Sequence, residues 1–430
     1  MERAREILCV GDMHLGKRPS GLPEREGAGA ASAQQLGPAA ALRALVQLAR
    51  EREVAAVLFA GDLVQSENQH FEAYGPLRAA AESLTQAGIE VLAVAGNHDV
   101  EVLPRLAREL PAVRLLGARG TWELVELAHV RARVLGWSFP ARHVARSPFA
   151  DPLPDLPPGS PILGLLHGDL DAGASRYAPM RSAELERHPQ LTFALGHVHV
   201  PSFDARGARR GYLGSLSPLD PSETGRHGPW LLRPREGGFE AEHVPLAPLR
   251  FERVRVDAAE LAPDEGAAGA IVRAARARAE QLERAGELAH VRALGLRLEL
   301  AGRSARAAEL RAELAREDAQ ALSFEHGSTL VYACGPIAHE LRPALELAEL
   351  ARGADPMGAL ARELLALEAP QTEAGRALLG AARAALEPAT RHVHFGALEA
   401  AALEETELRA LLARAGWTLL EALEEQRAGR

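Results

Sequence analysis

Ile89-Glu90-Val91-Leu92-Ala93-Val94-Ala95-Gly96-Asn97-His98-Asp99 is an apolar, β-branched run that stops on a glycine and three polar residues. Its first part has the composition of a buried strand, and the glycine releases the chain into a turn carrying Asn97, His98 and Asp99. Two earlier segments have the same form: Ile7 to Val10 leads to Gly11-Asp12-Met13-His14, and Val54 to Ala60 leads to Gly61-Asp62. Helical stretches lie between them, near Pro38 to Glu51 and near Phe71 to Ala87. This alternation predicts an α/β layered fold whose strands feed loops at one edge. Further strands are expected at Val130–Gly136, Ile162–Leu166, Thr192–Leu195, Tyr212–Leu213 and Trp230–Leu232, which makes a two-sheet sandwich flanked by helices. Gly16 to Gly37, rich in Gly, Ala, Ser and Pro, reads as a mobile loop, and proline-dense Pro148 to Pro161 as a surface connection.

Around Pro245 to Pro248 the pattern shifts, and a domain boundary is placed there, giving a first domain of 1–247. Strands at Phe251–Val256, Leu294–Leu300 and Thr329–Ala333, with helices at Gly266–Ala285 and Ala305–Arg316, describe a small α/β domain of 248–342. From 343 to 430 the chain is almost all Ala, Leu, Glu and Arg at helical spacing, a helical C-terminal region with breaks near Gly353, Pro370, Pro388 and Gly396. With 430 residues, two or three domains are expected. No G-x-x-x-x-G-K-[ST] loop is present, so no ATPase motif is carried.

The net charge of −9 argues against a globally basic nucleic-acid-binding face, and most of the acid excess lies after residue 250. Bound divalent ions would reverse the local charge of the first domain. Cys9 and Cys334 lack metal-ligand spacing and read as small buried hydrophobes. The N-terminal apolar run is a strand rather than a secretory signal, and no uninterrupted apolar stretch reaches the ~18 residues of a membrane helix. The expected location is the cytoplasm, with no membrane association.

Five motifs fall at or just past predicted strand ends: Gly11-Asp12-Met13-His14, Gly61-Asp62, Gly96-Asn97-His98-Asp99, His167-Gly168-Asp169 and Gly196-His197-Val198-His199. Hard divalent ions need carboxylate and amide oxygens with neutral imidazoles, and these motifs supply that inventory. Each is unremarkable alone: a strand-end Asp near a His is common, and Asn-His-Asp can be an ordinary turn. Five such coincidences in one chain favour a metal centre.

In this order and at roughly these spacings, the motifs resemble the calcineurin-like metallophosphoesterase superfamily. Within it the chain is similar to the SbcD-type DNA repair nucleases of the YhaO-like branch, on the strength of Asp12-Met13-His14-Leu15-Gly16, Leu165-Leu166-His167, Tyr177-Ala178-Pro179, Ala194 to His199, and Tyr212 to Leu216 leading to Ser222-Glu223-Thr224-Gly225. The resemblance implies that Asp12, His14 and His199 hold one ion, that Asn97, His167 and His197 hold the other, and that Asp62 bridges them. Manganese is the ion it implies. Two ions ~3.5–4 Å apart lower the pKa of a shared water and neutralise charge on phosphate oxygens. His98 is the expected catalytic group at the leaving oxygen, since imidazole titrates near neutrality. Relatives commonly have Asp or His three residues after the bridging aspartate to orient the catalytic histidine. Here that position is Gln65, whose neutral amide can hold a ring but cannot stabilise an imidazolium by charge, so either activity is reduced or Asp99 or a neighbour takes over the role. Arg206, Arg209, Arg210 and Arg226 follow the last ligands and are candidate phosphate contacts.

The function so implied is a two-metal DNA phosphodiester hydrolase, an exonuclease or endonuclease in DNA repair and the nuclease subunit of an SbcCD-like complex. Its partners would be DNA and an SbcC-like coiled-coil ATPase, docked through the helices near Leu398 to Glu425; a homodimer is compatible with it. The 248–342 domain would be the capping domain. One alternative is a stand-alone metallophosphoesterase acting on small phosphodiesters or phosphomonoesters. Protein phosphatases of the superfamily typically carry an arginine soon after Gly-Asp, and Gly61-Asp62-Leu63-Val64-Gln65 has none. A second alternative is a scaffolding protein with a vestigial metal site.

Overall fold

The computed structural model describes residues 5–23, 33–65, 69–316, 322–390 and 404–428. These fall into two compact units: the first comprises the described residues of 1–254, 274–298 and 318–336, the second those of 255–273, 299–317 and 337–430.

The first unit is built on two sheets. One has the order β11-β10-β1-β2-β3-β4, with β1 Ile7–Val10, β2 Ala56–Ala60, β3 Glu90–Val94, β4 Val113–Leu115, β10 Trp230–Arg235 and β11 Gly238–His243. The other has the order β5-β6-β7-β8-β9, with β5 Trp122–Glu126, β6 Arg133–Trp137, β7 Ile162–His167, β8 Leu191–Gly196 and β9 Arg210–Tyr212. β1 to β4 are mutually parallel, and so are β6 to β9, while β10, β11 and β5 join antiparallel.

Two-residue periodicity explains the layering. In β1 and β2, Ile7, Cys9, Ala56, Leu58 and Ala60 meet Val134, Leu163, Leu165 and Ala194 of the second sheet. Their neighbours Leu8, Val10, Val57 and Phe59 turn the other way, onto Leu42 and Leu45 of the helix Pro38–Glu51 and Leu77 and Leu84 of the helix Gln69–Gln86. Every residue of β1 and β2 is buried, as strands covered on both faces must be. Each such Leu, Val or Phe stabilises by about 1.5–3 kcal/mol. The outer face of the second sheet is covered by Trp137, Phe139, Leu166, Phe193 and their neighbours.

β12 (Leu249–Asp257) and β13 (Ala293–Ser304) each begin in the first unit and end in the second. Within the first, Ala293–Leu296 pairs with β15 (Thr329–Ala333), which pairs with β14 (Ser323–His326). Within the second, Glu299–Ser304 runs parallel to β16 (Ala338–Pro343). The second unit also holds the helices Pro356–Glu368, Glu373–Thr390 and Glu405–Ala428, packed through Met357, Ala361, Leu364, Leu379, Leu408, Trp417 and Leu420. Arg303 and Arg342 lie over the Trp417 ring, 5.4 and 5.6 Å from its centroid.

Some expectations are corrected. The helix Glu373–Thr390 includes Pro388, where a break was expected. The break expected near Gly396 lies outside the described residues, as do residues 24–32 of the loop expected to be mobile and 398–403 of the docking helices. Cys334 is only half-buried, unlike Cys9. Among the described residues, no helix is long and apolar enough to cross a membrane.

Candidate metal centre

The parallel strands β1, β2, β3, β7 and β8 all deliver their carboxyl ends to one edge of the sandwich, where crevice sites form in α/β folds. Their loops are then sewn together. Met13 and His14 donate backbone N–H bonds to the Asp62 carbonyl (3.1 and 2.8 Å), and Gln65 donates to that of Leu15 (3.0 Å). The buried Asp99 carboxylate takes the N–H groups of Leu63 (2.8 Å) and Gly96 (2.7 Å), tying the β2 loop to the β3 loop. Two glycines leave room for the side chains. A Cβ at Gly61, whose φ is +87°, would come within 2.5 Å of His167 Nδ1, and one at Gly96 would strike the Asp62 carboxylate. Three metal-site candidates themselves have left-handed backbones, His14 (φ 48°), Asp62 (φ 48°) and His197 (φ 103°). Such conformations cost about 1–3 kcal/mol each and concentrate where function demands a fixed geometry.

The donors form two groups, Asp12 with His14 and His199, and Asp62 with His167 and His197, each with its ligand atoms within 4.8 Å of one another. Asn97 joins the second, its Oδ1 lying 3.0 Å from His167 Nε2 and 3.2 Å from His197 Nδ1. Asp62 stands between the groups: its Oδ2 is 3.8 Å from His14 Nε2 and 3.4 Å from His167 Nε2, while its Oδ1 accepts the His98 N–H at 2.9 Å.

Partners behind the rings assign the protons. His14 Nδ1 faces Gln65 Oε1 (2.8 Å), His167 Nδ1 faces the Ala60 carbonyl (3.0 Å), His199 Nδ1 faces Glu223 Oε1 (2.8 Å) and His197 Nε2 faces Asp169 Oδ1 (3.2 Å). All four partners are acceptors, so each neutral ring carries its proton outward and turns a bare nitrogen inward. Those bare nitrogens approach closely, His14 to His199 at 3.2 Å and His167 to His197 at 3.3 Å. Lone pairs at that separation repel unless a cation or a proton stands between them, and two carboxylates face the same space. The donor set therefore fits two divalent ions.

Charge among the clustered side chains tells the same story. Burial alone would depress His167, but the Asp62 and Asp12 carboxylates and the Ala60 carbonyl raise it to about 9. Burial pushes Asp62 up, yet His167, His14 and His98 pull it below the ordinary carboxylate range. Burial raises Asp12, with His167 and His199 offsetting only part. His14 falls to about 4 through burial, and His197 to about 4 through burial and the charge of His167. His199 is raised, burial being outweighed by Glu223 and Asp12. Protons here occupy the place of metal charge, so metal binding must release them and weaken as pH falls.

His98 stands apart from the donors. Its ring lies edge-on to that of His14, 5.0 Å between centroids, and its Nδ1 is buried without a hydrogen-bond partner among the described residues. Its pKa is lowered, first by burial, with Asp62 opposing and His167, Arg142 and Lys17 adding to the fall. Two sequence expectations change here. Gln65 orients His14 rather than His98, and Asp99 does not replace it, because both Asp99 oxygens are taken by backbone N–H groups. The four arginines proposed as phosphate contacts are engaged elsewhere: Arg206 with Glu240, Arg209 with the Pro189 and Gly237 carbonyls, Arg210 with Glu186 and Arg226 with Glu287.

Residues 5–201 match the family described as calcineurin-like phosphoesterase. The match covers just under half of the chain. The chain is also similar to the uncharacterized metallophosphoesterase YhaO of Bacillus subtilis (strain 168), 27% identical over 228 residues, or 51% of this chain and 55% of that protein. It thus spans about half the length of that relative. Two solved structures align over a little more than half of the chain at low similarity. A protein of Thermus thermophilus gives a TM-score of 0.33 at 15% identity, covering 56% of this chain and 99% of that one. A dimetal phosphatase from Danio rerio gives 0.35 at 14% identity, covering 57% and 99%.

Two residues of this region escaped the sequence reading as histidine partners. Glu223, quoted only as part of a resemblance, holds His199 and also accepts from Ser215 Oγ (3.0 Å) and the Leu219 N–H (3.1 Å). Asp169 holds His197 and is itself bonded by Ser175 Oγ. A carboxylate inside a motif was the only signal for either, and it does not say which ring the carboxylate meets.

Proposed function

We propose that this chain is a two-metal phosphodiesterase acting on the backbone of DNA. The carrying observation is the set of four histidines whose protons are all spent outward while their bare nitrogens crowd two carboxylates. Asp12, His14 and His199 would hold one ion, Asn97, His167 and His197 the other, with Asp62 shared. Divalent ions, of which manganese is the one we propose, supply Lewis acidity for the phosphate and lower the pKa of a shared water. The chain's own contribution is to fix the ligand tautomers, exclude water from the buried carboxylates and present His98 to the leaving oxygen. Burial lowers the His98 pKa, and its neutral ring would stabilise the leaving oxygen by donating a hydrogen bond from its N–H.

The DNA part of the reading rests on the SbcD-like motifs around these residues. It includes a coiled-coil ATPase partner docking on the helix Glu405–Ala428, whose Leu411 and Leu419 are 43% and 58% exposed while Leu408 and Leu420 are buried. Cosedimentation with such an ATPase, lost in Leu419→Glu, tests that part.

The activity is tested with manganese-loaded protein on a labelled duplex, the corresponding single strand and bis-p-nitrophenyl phosphate, beside His98→Ala. Metal-dependent cleavage of DNA, reduced about 10²–10⁴-fold in the variant, is expected. Hydrolysis of the small diester with no DNA product would move the assignment to small phosphoesters, and no hydrolysis at all would make the site vestigial.

A further inference from the structure

Beside the second donor group, two further aromatic rings follow one another. Tyr177 lies 5.1 Å from His197, ring centre to ring centre, and His143 lies 5.8 Å from Tyr177. Tyr177 is half-buried and His143 is exposed. They are neighbours because the segment after β6 pairs with the segment after β7: the Val144 N–H bonds the Arg176 carbonyl and the Ala178 N–H bonds the Val144 carbonyl, both at 2.8 Å. Ala178, buried and left-handed at φ 48°, turns the chain directly after Tyr177.

Arg142 immediately precedes His143 and Arg176 immediately precedes Tyr177, and both arginines are exposed. Neither guanidinium has a hydrogen-bond or ion-pair partner among the described residues, whereas Arg146 nearby is tied to Asp151 at 2.7 Å. Exposed arginines beside aromatic residues in the chain supply the elements of a single-strand nucleic-acid track, in which bases stack and phosphates pair.

We propose that Arg142-His143 and Arg176-Tyr177 form a track for an unpaired strand end, with a base stacked on Tyr177 and the two arginines on its phosphates. This rests on the polynucleotide reading above and narrows it. A base inside a duplex has both faces covered, so the track selects a single strand or a frayed end over an intact duplex or a simple phosphate ester.

The test is fluorescence anisotropy of a labelled oligothymidylate and of a blunt duplex, in calcium buffer, with the strand recovered intact afterwards to show that no hydrolysis has occurred. Tyr177→Ala should weaken single-strand binding about tenfold, and Tyr177→Phe should restore it. Arg142→Ala and Arg176→Ala, both exposed positions, should each reduce the slope of log K against log salt by about 0.7. Unchanged affinity in Tyr177→Ala with unchanged salt slopes in both arginine variants would overturn the track, and so would wild-type binding that is as tight to the blunt duplex. Hydrolysis of bis-p-nitrophenyl phosphate by the wild type separates the two failures: if it persists while single-strand binding is insensitive to all three variants, only the track is wrong, and if it is absent the phosphodiesterase reading fails.

Discussion

Replacing Glu223 should weaken one metal site and spare the other. Its carboxylate sits 2.8 Å from His199 Nδ1, with the side chain 13% exposed, so the hydrogen bond is charge-assisted and largely shielded from water. Such a bond contributes about 1.5–3 kcal/mol, against about 0.5–1.5 kcal/mol for a neutral one. Glu223→Gln keeps an acceptor but loses the charge, a difference of roughly 1–1.5 kcal/mol, or about tenfold in metal affinity. Glu223→Ala also frees the His199 ring to change tautomer and leaves the Ser215 hydroxyl and Leu219 N–H without their acceptor, so its loss should approach the hundredfold end of the range for such partners. Calorimetric titration with manganese reads both sites. The expected result is one weakened site, ordered wild type, Gln, Ala, beside one unchanged site from Asn97, His167 and His197. Unchanged affinities at both sites, or equal loss at both, would refute the assignment of Glu223 to His199.

Gly96→Ala should abolish tight metal binding, because its Cβ meets the Asp62 carboxylate, and should lower stability by about 1–3 kcal/mol in urea unfolding; metal binding at wild-type strength would show that Asp62 moves freely. Burial holds His243 at about 4, aided by His227 and Arg226 and opposed by the Gly228 backbone. With an ordinary value near 6.5 in the unfolded chain, the unfolded state takes up more protons between those limits, so stability falls as pH drops from about 6.5 to 4. The ceiling is about 3 kcal/mol, and partial exposure brings it nearer 2. His243→Gln should flatten that part of the stability–pH curve in the presence of chelator, whereas an unaltered curve would show that the ring is solvated.

The sequence carried the centre of this fold well, for a physical reason. β1, β2, β3, β7 and β8 are short apolar runs buried on both faces, and each stops where a glycine hands over to polar residues, so strand and ligand loop announce each other. The rim was harder. β4, β5 and β11 are part-exposed edge or near-edge strands with mixed composition, such as Gly238-Phe239-Glu240-Ala241-Glu242-His243, and their pairing depends on neighbours rather than on local pattern. At the site, the residues that meet in space were legible because they share a motif form. Their supports were not: Glu223 reaches His199 across 24 positions and Gln65 reaches His14 across 51, contacts that exist only once the loops have packed. Each loop arginine has an acceptor that sequence order does not reveal.

The most direct test of the central claim is metal content with its magnetic coupling. Protein dialysed against manganese should retain two ions per chain by mass spectrometry and show an exchange-coupled electron paramagnetic resonance signal, with the coupling lost in Asp62→Asn. A single retained ion, none, or two that are magnetically independent would contradict a shared centre built on Asp62.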